Sequence, residues 1–366
     1  MLGKDLNAYA AAGIRSDHEA TTIEEGRERL RAGMWVLIRE ASGARNLEAL
    51  IPLAKEYGPS RLAFCTDDRE PEHIATEGHI NSMVRGAVAA GVRPEDALVM
   101  ATLNPAAWHG LREHGALAPG YRADLLLLPD LERFEPEIVL KRGRPLGPVP
   151  RPEVPEWVKH TVRVPSVASN DFAVPWDRGR ARVIGVVRDQ ILTESLAEEP
   201  TAVNGRAVAD PERDLAKIAV VERHLGTGRI GLGFVRGFEL RSGALASTVA
   251  HDAHNVVVVG VDDHDMARAV RRLYEIGGGV VVVERRGVRA ELALPVAGLL
   301  STAPLDDVVA ASQGCVEAAH RLGCTLPSPF QTMSFLALSV IPALKITDHG
   351  LVDVGRFELV PLAADA

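Results

Sequence analysis

Short apolar runs alternate with amphipathic stretches over the first hundred residues. Ile14 to Ser16 reads as a brief strand, and Thr22-Ile23-Glu24-Glu25 has the spacing of a capping box that opens a helix to Arg31. Met34-Trp35-Val36-Leu37-Ile38-Arg39 is a second strand. Leu47, Leu50, Ile51 and Ala54 share one face of the helix after it, with Gly58 as the stop. The apolar run Arg61-Leu62-Ala63-Phe64-Cys65 ends abruptly at Thr66-Asp67-Asp68, with Pro71 close behind. Ile80, Met83, Val84, Ala87 and Val88 stripe another helix, and a last one runs from Pro94 to Leu103 and ends at Asn104-Pro105. Repeated βα units predict a parallel sheet with its chemistry at the strand ends.

The pattern changes after residue 108. Gly115 to Asp124 leads into the strand Leu125-Leu126-Leu127-Leu128, and Ile138 to Lys141 is a second strand ending at the turn Arg142-Gly143. Prolines at 145, 148, 150, 152 and 155 mark an extended linker. From residue 166 a separate α/β region begins. Arg182 to Val187 and Ile230 to Phe234 read as strands, with a helix over Asp214 to His224 between them. Val256 to Val259 is a buried strand, Met266, Ala269, Val270, Leu273 and Ile276 stripe a helix, and Gly277 to Gly279 turn the chain into the strand Val280 to Val283. A helix from Leu305 to Leu322 follows, capped by Gly323. The expected domains are thus 1–108, 109–165 and 166–366.

Chain length sharpens the reading of the first domain. A (β/α)8 barrel takes about 250 residues, roughly 30 per βα unit. Residues 1–108 therefore supply about three or four units, which makes either a small open sheet or the back half of a barrel. A half barrel leaves open strand edges that invite pairing with another chain.

The net charge of −8, with no basic patch or basic helix, argues against a nucleic-acid or anionic-membrane partner. No apolar run approaches the roughly 18 residues that span a bilayer, and no signal-peptide pattern stands at the N-terminus. Cys65, Cys315 and Cys324 are spaced neither for zinc nor for a disulfide framework, so a reducing cytoplasm is the expected compartment.

Two stretches carry candidate chemistry. Ser16-Asp17-His18-Glu19 and Thr66-Asp67-Asp68 put His, Asp and Glu at the ends of two short strands, which suggests a metal-assisted hydrolase. Each has a bland alternative: a turn histidine in one case, helix-capping acids in the other. His251-Asp252-Ala253-His254-Asn255 also has metal-like letters, but the strand beginning at Asn255 favours a hydrogen-bonded structural turn. Gly231-x-Gly233-x-x-x-Gly237 has the wrong spacing for a dinucleotide fingerprint.

Taken together, Gly3-Lys4-Asp5-Leu6-Asn7-Ala8-Tyr9, Gly13-Ile14-Arg15-Ser16-Asp17-His18-Glu19, Ile38-Arg39-Glu40, Ala44-Arg45-Asn46-Leu47, Phe64-Cys65-Thr66-Asp67-Asp68-Arg69 and Glu77-Gly78-His79-Ile80 resemble the adenine deaminases of the amidohydrolase superfamily. Asn104-Pro105-Ala106 and Gly120-Tyr121-Arg122-Ala123-Asp124-Leu125 match the wider superfamily. Gly233-Phe234-Val235-Arg236-Gly237-Phe238 and the His251–Asn255 cluster match the adenine deaminase branch. The resemblance implies hydrolysis of adenine to hypoxanthine and ammonia by a metal-activated water, with Mn or Fe as the metal and Zn as an alternative. It implies an α/β fold: part of a (β/α)8 TIM barrel (strands six to eight), a partial β-sandwich and a C-terminal α/β domain. His18 matches the metal histidine after the sixth barrel strand. Asp67 matches the aspartate after the eighth, which binds metal and shuttles protons. Asp17, Glu19 and Asp68 are supporting candidates, with Asp68 an alternative to Asp67. The family's paired histidines, bridging carboxylate and further metal histidine belong to earlier strands, and no His-x-His occurs in these 366 residues. The expected partners are adenine and either a separate N-terminal barrel half or a second copy of the chain.

Overall fold

The computed structural model describes residues 1–148, 153–164, 166–188 and 190–364. The linker prolines at 150 and 152 lie outside the described residues. The chain divides into two units, Met1–Pro152 and Glu153–Ala366.

In the first unit α1 (Gly3–Ala11) precedes β1 (Ser16–Asp17), α2 (Ile23–Arg31) and β2 (Trp35–Arg39). The strand expected at 14–16 begins two residues later, because only Ser16 and Asp17 pair with β2, at Trp35 and Val36. The capping signal is realised: the Thr22 hydroxyl accepts from the Glu25 amide, while the Glu25 carboxylate reaches back to the Thr21 amide. The single helix expected over 47–57 is two, α3 (Leu47–Leu50) and α4 (Pro52–Tyr57). Pro52 has no amide hydrogen to continue a helix and instead starts the second one. The next elements are β3 (Leu62–Cys65), α5 (Pro71–Thr76), α6 (Ile80–Ala89), α7 (Pro94–Ala101) and α8 (Leu103–Trp108). Asn104-Pro105 thus sits in the first turn of α8 and does not end a helix.

Strands β1, β2 and β3 form a parallel sheet in that order, with Val36 opposite Leu62 and Arg39 opposite Cys65. It is open, not a closed barrel. Val36, Ile38, Leu62 and Phe64 join Leu50, Leu53, Met83, Ala87 and Met100 in one buried core. After α8 come β4 (Leu125–Leu127), β5 (Ile138–Lys141) and β6 (Arg144–Pro145), a small antiparallel sheet. Phe134, between β4 and β5, is buried in the same core, which ties this segment to the first unit.

The second unit is built on an eight-stranded mixed sheet. Its elements begin with β7 (Val174–Pro175), β8 (Ala181–Val186), β9 (Thr193–Glu198), β10 (Ala202–Val203), β11 (Arg206–Ala207), β12 (Ala216–Val221), β13 (Ile230–Arg236), β14 (Ala244–Ser247) and β15 (Val256–Gly260). They continue with α9 (Asp263–Glu275), β16 (Gly279–Glu284), β17 (Gly287–Ala293), α10 (Leu305–Arg321), α11 (Pro329–Leu336), β18 (Leu344–Thr347), β19 (Gly350–Asp353) and β20 (Glu358–Val360). The large sheet has the order β17-β16-β14-β15-β12-β13-β8-β9, while β10-β11-β7 and β18-β19-β20 form small sheets. The unit begun by β15 and α9 closes with β16 on the far side of β14, which is hydrogen-bonded to both strands.

The helix expected over 214–224 is the central strand β12. All six of its residues are buried, Ile218 and Val220 toward one face of the sheet and Ala219 and Val221 toward the other. A strand covered on both faces shows no apolar–polar alternation, so its pattern alone does not exclude a helix. Along β15 the same division puts Val256 and Val258 against Met266, Val270 and Leu273 of α9. Val257 and Val259 face the side of Cys315, Ala319 and Met333 from α10 and α11.

Candidate active site

The parallel direction of β1, β2 and β3 brings the residues after each strand to one edge. His18 and Glu19 follow β1, Arg39 ends β2, and Thr66, Asp67 and Asp68 follow β3. The Asp67 backbone turns there through the left-handed region, with φ of 53°, a conformation that aspartate tolerates better than most side chains. Its carbonyl accepts from the Arg69 amide at 2.9 Å.

These groups form one line of contacts. His18 Nε2 lies 3.2 Å from Glu19 Oε1. Arg39 Nη1 donates to the same Glu19 oxygen at 2.8 Å and to Asp67 Oδ2 at 3.1 Å. The guanidinium side chain is only 6 % exposed, whereas Glu19 is 55 % and Asp67 35 % exposed. The hydrogen bond from His18, reinforced by Arg39 against the opposing effect of burial, pulls the Glu19 carboxyl down to about 2. The same bond raises the His18 pKa above its ordinary value. Burial pushes the neighbouring Cys65 thiol up to about 12, which leaves it a neutral thiol rather than a thiolate ligand.

Asp17 lies elsewhere. Its carboxylate pairs with the buried Arg29 guanidinium and accepts from the Glu19 amide, so it braces the loop that carries His18. The carbonyl of Asp68 accepts from the Ser42 amide at 3.0 Å. Behind the edge, Arg69 donates to the carbonyls of Gly78 and Glu40, each at 3.0 Å, and to Glu77 Oε2 at 2.7 Å, joining the loops after β2 and β3. Thr66 Oγ1 and His79 Nε2 are 3.0 Å apart, and Ser42 Oγ and His73 Nδ1 are 2.6 Å apart.

Arg39 is the residue to which the sequence alone attached no role. Its signal was a charge closing an apolar strand next to the acids of the following one. The donors at this edge do not by themselves fit a metal ion: His18 contacts Glu19, while Glu19 and Asp67 share a cation. Among the described residues no three His, Cys, Asp or Glu side chains group closely enough to hold one.

The second unit resolves the other two motifs. Residues 251–253 form a turn, where the Ala250 amide donates to His254 Nδ1 at 3.2 Å and the His251 amide to Ser334 Oγ at 3.2 Å. The His251 ring stacks on Phe335 with centroids 5.2 Å apart, and Asn255 Nδ2 reaches Asp348 Oδ1 at 3.1 Å. The glycines of β13 mark a close backbone approach. A Cβ on Gly231 would stand 2.0 Å from the Thr347 carbonyl oxygen, and one on Gly233 3.2 Å from the Leu351 side chain.

Comparison with known proteins agrees with this division. Residues 2–146 match the amidohydrolase family, and residues 190–358 match the adenine deaminase C-terminal domain. An adenine deaminase of Desulfatibacillum aliphaticivorans is 46% identical over 373 aligned residues, covering 99% of this chain and 64% of that protein. One from Methanothrix thermoacetophila is 47% identical, with 98% and 64% covered. One from Cereibacter sphaeroides is 49% identical, with 99% and 64% covered. The chain therefore spans a little under two thirds of the length of these curated relatives. Over nearly its whole length this chain is therefore similar to adenine deaminases, with a segment that matches the amidohydrolase family followed by one that matches the adenine deaminase C-terminal domain.

Proposed function

We propose that this chain is part of a hydrolytic deaminase that converts adenine and water to hypoxanthine and ammonia. One observation carries the reading: a parallel sheet of amidohydrolase type gathers His18, Glu19, Arg39 and Asp67 at the C-terminal ends of its strands. In this reading Asp67 is the catalytic residue, a carboxylate that accepts a proton from the attacking water and returns it to the departing amine. His18 and Asp67 are two of the metal ligands, and Asp17, Glu19 and Asp68 support them. The family generally uses a divalent metal; Mn or Fe is proposed here, with Zn as an alternative. Two ligands do not make a metal cage, so the others are supplied by residues outside these 366.

The domain reading follows. Residues 1–108 are read as strands six to eight of a (β/α)8 barrel, 109–165 as a β-sandwich segment and Pro-rich linker, and 166–366 as the adenine deaminase C-terminal domain. No helix among the described residues is long and apolar enough to cross a membrane. Cys65, Cys315 and Cys324 are not joined in disulfides, in keeping with the cytoplasm as the compartment.

Ammonia release from adenine tests the proposal. The purified chain with Mn²⁺ is expected to show no turnover at enzyme rates. Co-expression with a polypeptide that contributes the remaining barrel strands and their His-x-His pair is expected to restore deamination, and Asp67→Asn to abolish it again. A restored complex that preferred guanine, cytosine or a hydantoin would refute adenine as the substrate.

A further inference from the structure

We infer that Arg39 is a built-in counter-ion that occupies Asp67 and keeps the strand-end carboxylates from taking up a divalent cation in this chain. The inference rests on the reading of Asp67 as a metal-site residue for its significance, but its test is binding, not turnover.

The geometry separates a counter-ion from a structural strut. Arg69, in the adjoining loop, is anchored by two backbone carbonyls as well as by Glu77. The Arg39 side chain is also buried, 6 % exposed against 2 % for Arg69, yet its hydrogen bonds go to carboxylates alone, both from Nη1, to Glu19 and Asp67. Its Nε is buried with no acceptor. A guanidinium with an orphaned donor is held by charge more than by fit, since a buried N–H left unpaired is costly.

The position matters as much as the pairing. Arg39 closes the middle strand of three, Glu19 follows the strand on one side, and Asp67 follows the strand on the other. One cation therefore bridges Asp67, the acid proposed to bind the metal, and Glu19, the acid that contacts His18. A divalent ion approaching Asp67 meets a fixed positive charge 3.1 Å from Oδ2, and like charges so close disfavour one another. The resident cation thus accounts for why the donors do not fit a metal, over and above their small number.

Mn²⁺ titration of the full 366-residue chain, followed by the loss of the free-ion electron paramagnetic resonance signal, tests this directly. The wild type and Arg39→Lys, which keeps the charge, are expected to take up no Mn²⁺ through Asp67. Arg39→Gln is expected to bind at least about tenfold more tightly than wild type, the scale of one removed neighbouring charge, and the gain is expected to vanish in Arg39→Gln/Asp67→Asn. Equal binding by wild type and Arg39→Gln, or uptake by wild type that Asp67→Asn removes, overturns the inference. A second measurement does not depend on Arg39 variants folding. If Glu19 and Asp67 cover for each other as partners of one buried cation, Glu19→Gln/Asp67→Asn lowers the unfolding temperature by more than the sum of the single substitutions; an additive loss overturns the inference. Failure of adenine deamination in a restored complex would leave these binding results standing, so the two readings fail separately.

Discussion

Glu222 shows how one side chain fixes a loop through its charge. Its carboxylate accepts from the amides of His224, Leu225 and Thr227 and from the Thr227 hydroxyl. Although burial works the other way, these bonds bring its pKa down from an ordinary 4.5 to about 2. The folded state therefore binds this proton less readily than the unfolded state does. The stability it contributes is complete above the ordinary carboxyl value and is lost as the pH falls toward 2. Glu222→Gln is expected to flatten the acid limb of the stability curve in that window and to cost roughly 1–3 kcal/mol at neutral pH, as read by urea denaturation across pH. Asp17 offers a second case. With the Arg29 side chain 4 % exposed and Asp17 11 %, Asp17→Ala leaves a buried guanidinium unpaired and is expected to cost about 3–5 kcal/mol. A smaller loss for the paired change Arg29→Met/Asp17→Leu would confirm that the stranded charge, not the lost bond, sets that cost.

At the scale of elements, local chemistry was readable wherever it had one solution. The Thr22 cap, the start of β2 and the α9 stripe of Met266, Val270 and Leu273 each follow from side chains in sequence reach. The readings that differ have a tertiary cause. Pro52 splits one apolar face between two helices, and β12 has the composition of a buried segment of either kind. The β13 glycines are explained by a hairpin more than a hundred residues away, because the turn between β18 and β19 lies against Gly231. Gly231→Ala puts a methyl carbon into a backbone carbonyl and is expected to cost about 1–3 kcal/mol. Faster amide exchange over 344–353 would locate the damage in that hairpin, whereas exchange confined to β13 would place it in the strand itself.

At the scale of the molecule the two units have very different sheets. The second buries a mixed eight-stranded sheet on both faces, between α9 on one side and α10 with α11 on the other. Residues 153–366 expressed alone are therefore expected to unfold in one cooperative transition with urea, since the unit contains its own cores. A broad, gradual transition would show that it depends on the first unit. The first unit's three-stranded parallel sheet is open, and its candidate chemistry lies along one end of that sheet.

The chain by itself determined which residues could do chemistry and roughly where the strands that present them end. His18 and Asp67 stand out because an apolar run that stops at ionisable groups is a local pattern. The sequence also carried a family likeness, since motifs are ordered strings of residues. Only the tertiary structure decided what those groups touch. Arg39 meets Glu19, twenty residues before it, and Asp67, twenty-eight residues after it. Parallel strands bring those residues together, while sequence distance conceals it. Asp17, adjacent to His18 in the chain, turns instead to Arg29. Pairing between charges depends on distances of a few ångströms in space, and those distances are set by sheet register.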